Sequence, residues 1–400
     1  MWTGNTVIHD ITKEGQLWVN KRLKRPSFVW WNFPVSDYVR NHLLLGTSYG
    51  LDKDIVQDMS GFVSNPMDKP EASKVAIFSI ANYAWNLKAY QPEETWKKAI
   101  RVVVPEVKDA YELFSLHNAD PGPSYHQYRR EESGQIAPIL VSLTKGLEAQ
   151  QVHKLDAGTY EQLRQEFSKF EKSAITIEQQ AYNKDLVKEI KPWLAYFAVQ
   201  GKGALALLQA YQAKDLNERF AAFQEVQAAK DKMYQIDQTS NRNPYQPGIV
   251  TASRYVLPWM EQGYLYFHKE LKDAGFAVKE AENQPIGKVY TNIAMLKSLP
   301  VQQAVQAGNR MFQVLKLSKM LEYIPMEVGQ YVGIAIDKGG AIREAKFKLE
   351  KAVEGVQLEY SVDGQQWDVK KNNKARYVRL INSSKALQNI KITDFEIIFE

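Results

Sequence analysis

The sequence of 400 residues contains no cysteine. Disulfide bonds, thiolate catalysis and cysteine-ligated metals are therefore excluded, and redox chemistry leaves both the cytosol and a bacterial periplasm open. The chain also lacks any run of 18 apolar residues, and its first residues show no charged leader before an apolar stretch. We expect it neither to span nor to be targeted to a membrane.

The chain also has almost no excess of charge of either sign. The 51 basic residues barely exceed the 46 acidic ones, no arginine-rich tract occurs, and nucleic acid is not an expected partner. Glycine-rich phosphate loops and HExxH are missing. The six histidines show no ligand spacing, and they are His9, His42, His117, His126, His153 and His268. We predict no metal and no cofactor.

The length predicts two or three domains. The first region, residues 1–118, alternates apolar strand-like runs with helical patterns, as in successive βα units of a parallel sheet. The predicted strands are residues 1–3, 28–32 and 61–65, and the predicted helices are residues 11–23 and 75–90. Three strands cannot close a (β/α)₈ barrel, so the chain is expected to begin in mid-domain, with a partial barrel.

The pattern changes twice further along. Residues 119–280 carry apolar side chains at spacings of three and four, which predicts a bundle of long amphipathic helices. Residues 281–400 alternate apolar and polar positions around turns such as Asp363-Gly364, which predicts a β-sandwich. The predicted fold is therefore multidomain, with partial barrel, helical bundle and sandwich in that order.

Polar and aromatic residues follow two of the predicted strands. The run from Trp30 through Asn32 to Asp37 places indoles, an amide and a carboxylate together, and Asn65 ends the next strand. Strand carboxyl ends carry the chemistry in such barrels. Aromatic faces stack on the C–H faces of a pyranose, and amides or carboxylates orient its hydroxyls. The pattern predicts a sugar pocket.

Each residue also has a plainer explanation. Successive strand residues face opposite ways, so one of Trp30 and Trp31 is expected to pack under a helix. Asn32 and Asn65 are of types that satisfy loop backbone or precede a proline turn. Asp37 would make a good N-cap for a short helix over residues 38–44.

Several short segments of the first region form a recognisable series. They are Trp2-Thr3-Gly4 with Val7, residues 29–38, Leu45-Gly46, Gly50-Leu51 and Ser64-Asn65-Pro66-Met67. In order and spacing they resemble the motifs of glycoside hydrolase family 84, the β-N-acetylglucosaminidases that include O-GlcNAcases. The resemblance covers about ninety residues, with further similarity to bacterial members in the bundle and to discoidin-like sandwiches at the end.

The resemblance implies a role for each pocket residue. Asp37 would bind O4 and O6 of N-acetylglucosamine, and Asn65 would hold a neighbouring hydroxyl. Asn32 would add a polar contact, while Trp30 would wall the pocket near the acetamido group. Thr3 and Val7 would lie at the rim.

The implied chemistry is retaining hydrolysis in which the substrate's 2-acetamido oxygen attacks the anomeric carbon and forms an oxazoline. Two adjacent aspartates assist it, one orienting the acetamido nitrogen and one acting as general acid and base. This sequence contains no Asp-Asp pair, so we expect no catalytic residue in it. The expected partners are N-acetylglucosamine glycoconjugates and the missing half of the barrel, from the same parent chain or a companion fragment.

Two other functions remain open: a non-catalytic carbohydrate-binding or scaffold protein, and a structural helical module with vestigial sugar motifs. Bacterial relatives are usually exported, so the resemblance implies a periplasmic or secreted protein. The sequence identifies neither the aglycone nor the oligomeric state.

Overall fold

The computed structural model describes most of the chain. The described residues are 11–37, 39–49, 51–120, 130–243, 248–278, 287–293, 296, 299, 301–306, 312–317, 320, 322–336 and 342–399. Contacts divide the molecule into two compact units, Met1–Val278 and Lys279–Glu400. The boundary predicted between residues 118 and 119 lies inside the first unit and stays a prediction. None of the described helices is long and apolar enough to cross a membrane.

Two strands form the sheet of the first region. Strand β1, Ser27–Pro34, pairs in parallel with strand β2, Met59–Asn65, and helix α1, Lys13–Leu23, precedes them. Both strands include the predicted segments. The third predicted strand, residues 1–3, lies outside the described residues. Within the described part of the chain this sheet has two strands and no closed barrel.

One face of β1 forms the local hydrophobic core. Val29, Trp31 and Phe33 are almost completely buried. They pack beneath helix α2, Pro70–Trp85, where the Trp31 ring lies 5.8 Å from that of Tyr83 in an edge-to-face contact. Edge-to-face aromatic pairs contribute beyond their buried area. The core therefore fixes which face of β1 points away from the helices.

Helix α2 spans Pro70–Trp85, so it begins and ends five residues before the predicted helix of residues 75–90. Proline is preorganised for the first helical position, which explains the early start. The Glu189 carboxylate accepts hydrogen bonds from the backbone N–H groups of Glu71 and Ala72. The first N–H groups of a helix have no acceptor within the helix, and together with the helix dipole they favour an anion at this end. A residue 118 positions downstream thus sets the helix start.

Seven further helices follow among the described residues of the first unit. In chain order they are α3 Pro92–Val103, α4 Lys108–Leu116, α5 Ala137–Glu148, α6 Ala157–Gln180, α7 Lys184–Gln212, α8 Leu216–Thr239 and α9 Val256–Asp273, with short 3₁₀ turns at Lys53–Asp58 and Pro105–Val107. The predicted bundle corresponds to α6 through α9. The side chains of Asp156, Asn183 and Asp215 cap α6, α7 and α8.

Helices α6 and α7 approach each other closely. Phe170 and Phe197 stack with ring centroids 4.0 Å apart. A side chain on Gly201 would lie 2.6 Å from Phe170 Cβ, so glycine permits this approach. Substituting alanine there would force the helices apart.

The second unit is built from antiparallel strands. They are β3 Gly287–Thr291, β4 Val301–Gln306, β5 Phe312–Leu317, β6 Ile324–Met326, β7 Tyr331–Ile336, β8 Ile342–Leu349, β9 Val356–Ser361, β10 Tyr377–Asn382, β11 Gln388–Ile390 and β12 Ile392–Phe399. Two four-stranded sheets have the orders β3-β7-β10-β9 and β4-β5-β12-β8, and β6 pairs with β11. Their buried side chains form one core that includes Val332, Leu380 and Phe395. Along the chain, the parallel strands come first, the long helices follow and the antiparallel sheets come last. The predicted order of the three regions is confirmed.

Candidate functional site

The face of β1 opposite the core carries a hydrogen-bonded trio of Trp30, Asn32 and Asn65. Trp30 Nε1 donates to Asn32 Oδ1 at 2.8 Å, and Asn65 Nδ2 donates to the same oxygen at 3.0 Å. Asn32 is buried, whereas the Trp30 side chain is 36% exposed. Of the two neighbouring indoles, Trp31 packs under the helix and Trp30 faces away from it.

The strand register brings the two asparagines together. Trp31 pairs with Ser64, but the next pair along the strands is Pro34 with Asn65. The irregularity leaves Asn32 and Phe33 as extra residues in β1, and such bulges redirect side chains. Ser64 Oγ donates to the Phe33 carbonyl oxygen at 2.8 Å and secures the bulge. Asn32 and Asn65, 33 positions apart, thus meet at the carboxyl end of the sheet.

Asp37 follows β1 in a turn and has an exposed side chain. Val39 N bonds to the Ser36 carbonyl oxygen at 2.9 Å, and His42 N bonds to that of Val39 at 2.8 Å. The described residues from 39 to 44 form turns and not the helix that the N-cap interpretation required. That alternative for Asp37 is wrong.

The remaining predicted site residues stand apart from this geometry. Thr3 and Val7 lie outside the described residues, and Asp37 is not a member of the hydrogen-bonded trio. The trio itself combines a partly exposed indole with two carboxamides. These groups are neutral, and they suit a ligand that offers C–H faces and hydroxyls over a charged one.

The structure also reveals two buried histidine–glutamate pairs that no sequence pattern predicted. His42 Nε2 lies 2.7 Å from Glu132 Oε1, and His117 Nε2 lies 3.0 Å from Glu166 Oε1. The partners are 90 and 49 positions apart, so no local motif links them.

The carboxyl group of Glu166 is held ionised. Burial opposes this, but hydrogen bonds from His117 and Gln135 outweigh it and lower the pKa of Glu166 to about 2. Lys169 lies 3.1 Å from the second carboxylate oxygen. A buried carboxylate with this many donors is a structural ion pair.

Among the residues that the structure describes, no three His, Asp or Glu side chains are grouped so that they could hold a metal ion.

Three family models match consecutive parts of the chain. Residues 1–116 match beta-N-acetylglucosaminidase, residues 132–264 match the bacterial GH84 post-catalytic domain, and residues 278–348 match carbohydrate binding module family 32. The trio falls within the first match, and both Glu132 and Glu166 fall within the second.

Curated relatives include the protein O-GlcNAcases of Rattus norvegicus and Mus musculus. Each is 32% identical over 84 residues, which is 21% of this chain and 9% of the relative. The chain therefore spans a small part of the length of these relatives.

Solved structures resemble a larger part of this chain than the curated relatives do. CpGH84B is 28% identical with a TM-score of 0.57, covering 66% of this chain and 44% of that one. CpGH84D, at 24% identity and a TM-score of 0.59, covers 67% and 45%. A variant of the Thermobaculum terrenum O-GlcNAc hydrolase, at 20% identity and a TM-score of 0.53, covers 68% and 56%; like CpGH84D, it supports the fold alone.

The motif resemblance agrees with the family models over residues 1–116 and 132–264, and the chain belongs to glycoside hydrolase family 84.

Proposed function

We propose that this chain supplies the sugar-recognition part of a β-N-acetylglucosaminidase pocket. The observation that carries the proposal is Asn32 Oδ1, which accepts hydrogen bonds from Trp30 and Asn65 at the ends of adjacent parallel strands. An indole and two amides held in one cluster provide a stacking surface beside fixed polar groups. Such groups cost little entropy on binding, because they are already ordered.

The roles follow from the family resemblance and from the positions of the residues. Trp30 walls the pocket near the acetamido group, Asn65 binds a hydroxyl and Asn32 holds both in place. Asp37, exposed on its turn, binds O4 and O6. Thr3 and Val7 are proposed for the rim.

The complete enzyme would hydrolyse β-linked N-acetylglucosamine through an oxazoline formed by the substrate's own acetamido group. The step needs one aspartate to orient the acetamido nitrogen and a second as general acid and base. No Asp-Asp pair exists in the 400 residues. This polypeptide alone would therefore position the sugar without cleaving it.

Further barrel strands would complete the pocket. In the described part of the chain β2 pairs with β1 alone. Its Val63 is 37% exposed and Trp30 faces the same open side. An unpaired parallel edge and a half-exposed face are what additional strands would cover. We propose that these strands come from the same parent protein or from a companion fragment, and that the protein is periplasmic or secreted.

A non-catalytic carbohydrate-binding role is the second candidate, and the match of residues 278–348 to a carbohydrate-binding module favours it. Trp367 lies in the same unit but beyond the matched residues, and it is packed against its neighbours. Its ring lies 3.6 Å from the Arg379 guanidinium carbon, and its Nε1 donates to the Gly364 carbonyl oxygen at 3.2 Å. Retention of residues 279–400 on a glycan array, with no sugar response at Trp30, would favour this alternative.

The main proposal is tested by titrating the 400-residue chain with N-acetylglucosamine and following the indole N–H resonances. We expect the Trp30 resonance to shift saturably and glucose, which lacks the acetamido group, to bind more weakly. Asn65→Ala should weaken binding about tenfold, as expected for one lost hydrogen bond in a preorganised site. Trp85→Phe, at a side chain 91% exposed, is the matched control that should change nothing.

The same samples test the division of labour. The chain alone should release no aryl alcohol from an aryl N-acetylglucosaminide. Absence of any Trp30 response at saturating sugar would contradict the recognition role, and turnover by the chain alone would contradict the assignment of the acid pair to another segment.

A further inference from the structure

The described residues 36, 37 and 39–42, here called the Asp37 turn, are fixed at both ends. At its start, β1 is tied to β2 by the pairing of Pro34 with Asn65. At its end, several groups far away in sequence bind its backbone and His42. Asp37 lies between these anchors, in the first of the two consecutive turns.

The backbone anchors come from the helical region. Trp193 Nε1 of α7 donates to the Asn41 carbonyl oxygen at 2.9 Å, and Val250 N donates to the same oxygen at 2.9 Å. Asn241 Nδ2 donates to the Arg40 carbonyl oxygen at 2.8 Å. Peptide groups bound in this way have little freedom to move.

The side-chain anchor is the pair of His42 and Glu132. Both are fully buried, and Glu132 Oε2 also accepts from Arg254 N at 2.7 Å and Ser253 Oγ at 3.1 Å. One carboxylate thereby ties the Asp37 turn to the segment before α9. Leaving a buried carboxylate without one of these partners carries a large cost in folding free energy. The link between the Asp37 turn and the segment before α9 is therefore strong.

We propose that the helical region acts as a positioning device for the sugar site, with His42, Glu132 and Trp193 holding the Asp37 turn in its binding geometry. The inference rests on the proposed role of Asp37. An exposed carboxylate on a short loop contributes to affinity only when its backbone is already placed. The anchors supply that placement without touching the sugar, so they are positioning residues.

The test measures binding of N-acetylglucosamine to the 400-residue chain and to variants. His42→Ala should weaken binding about tenfold, while His42→Gln, which keeps a donor for Glu132, should remain within about twofold. His117→Ala is the matched control. It breaks a buried histidine–glutamate pair of the same kind, but its described hydrogen bonds go to Ser133, Glu166 and Gln135. It should lower the melting temperature without changing affinity.

A double-mutant cycle separates positioning from general stability. In an Asp37→Ala background, His42→Ala should have no further effect on affinity, because the residue through which it acts is gone. Hydrogen exchange of the Val39 and His42 amides should quicken in His42→Ala and not in His117→Ala. Trp193→Phe keeps an aromatic ring and removes the N–H that donates to Asn41. It gives a second test if His42→Ala does not fold.

The outcomes distinguish the two proposals. Failure of the unaltered chain to bind N-acetylglucosamine would overturn the function. Normal binding by the unaltered chain, with equal losses in His42→Ala and His117→Ala or with additive effects of His42→Ala and Asp37→Ala, would overturn only the positioning role.

Discussion

The two faces of β1 use adjacent tryptophans in opposite ways. Trp31 is 1% exposed and packs among Phe33, Phe62 and Tyr83, whereas Trp30 is 36% exposed and donates its indole N–H to Asn32. The difference arises because alternate strand residues point to opposite sides of a sheet. A pair of tryptophans in sequence therefore supplies one residue for the core and one that we propose for sugar recognition.

Trp31→Ala offers the largest test of this contrast. Removing a fully buried indole should lower the free energy of unfolding by about 3–5 kcal/mol, because a cavity remains under α2. Urea denaturation followed by far-ultraviolet circular dichroism measures the loss. Trp30→Ala, the matched control, should cost less than about 1.5 kcal/mol, since its ring is partly exposed and one hydrogen bond is lost. Equal losses of unfolding free energy in the two variants would show that the two faces of β1 contribute equally to stability.

Acid should separate the neutral trio from the buried Glu166 carboxylate. The pKa of Glu166 is lowered to about 2 from its ordinary value of 4.5, so its contribution to stability is complete above pH 4.5 and is lost as pH falls towards 2. Glu166→Gln should be less stable at pH 7 by about 1.5–3 kcal/mol, the value of a hydrogen bond to a charged group.

The measurement for this prediction is urea denaturation at several pH values between 7 and 2. The stability curve of Glu166→Gln should fall less steeply below pH 4.5 than that of the unaltered chain. Parallel curves for the two proteins would contradict the assignment. Asn65→Ala serves as the control, because it removes no titratable group and should run parallel to the unaltered chain.

Asn32→Ala sharpens the comparison on the polar face. It leaves the Trp30 and Asn65 donors without their shared acceptor, and we expect a loss of about 1–2 kcal/mol in unfolding free energy. Asn32→Asp retains an acceptor oxygen and should recover most of that stability. If the aspartate variant is as unstable as the alanine variant, the shared oxygen is not what holds the trio.

Trp30→Phe should have the smallest effect. It removes the indole donor and keeps an aromatic face, so unfolding should change by about 0.5–1 kcal/mol while stacking on a sugar persists. Affinity for N-acetylglucosamine should fall less than in Trp30→Ala. A loss equal to that of Trp30→Ala would make the hydrogen bond, and not the ring face, the important property of Trp30.

Local patterns were enough to predict much of the fold. Period-two and period-3.6 repeats located strands, helices and the order of the regions. Boundaries set by distant residues were missed. Helix α2 starts five residues before the predicted position because Pro70 opens it and Glu189 caps it, and a cap from 118 positions away has no local signature.

The candidate site shows the same division. Residue type and strand position were enough to single out Trp30, Asn32 and Asn65, and the structure joins them through one oxygen. The sequence also suggested that one tryptophan of the pair would pack inward, without saying which. The register shift after Trp31 and the packing against α2 decided this, and both depend on contacts between segments.

The sequence by itself determined the composition of the recognition surface and the family, because motifs and periodicity are local properties of the chain. Only the tertiary structure decided that Trp31 is core and Trp30 is surface, and that His42 meets Glu132 across 90 positions. The physical reason is that burial and pairing depend on which distant segments fold against one another, and residue spacing alone does not contain that information.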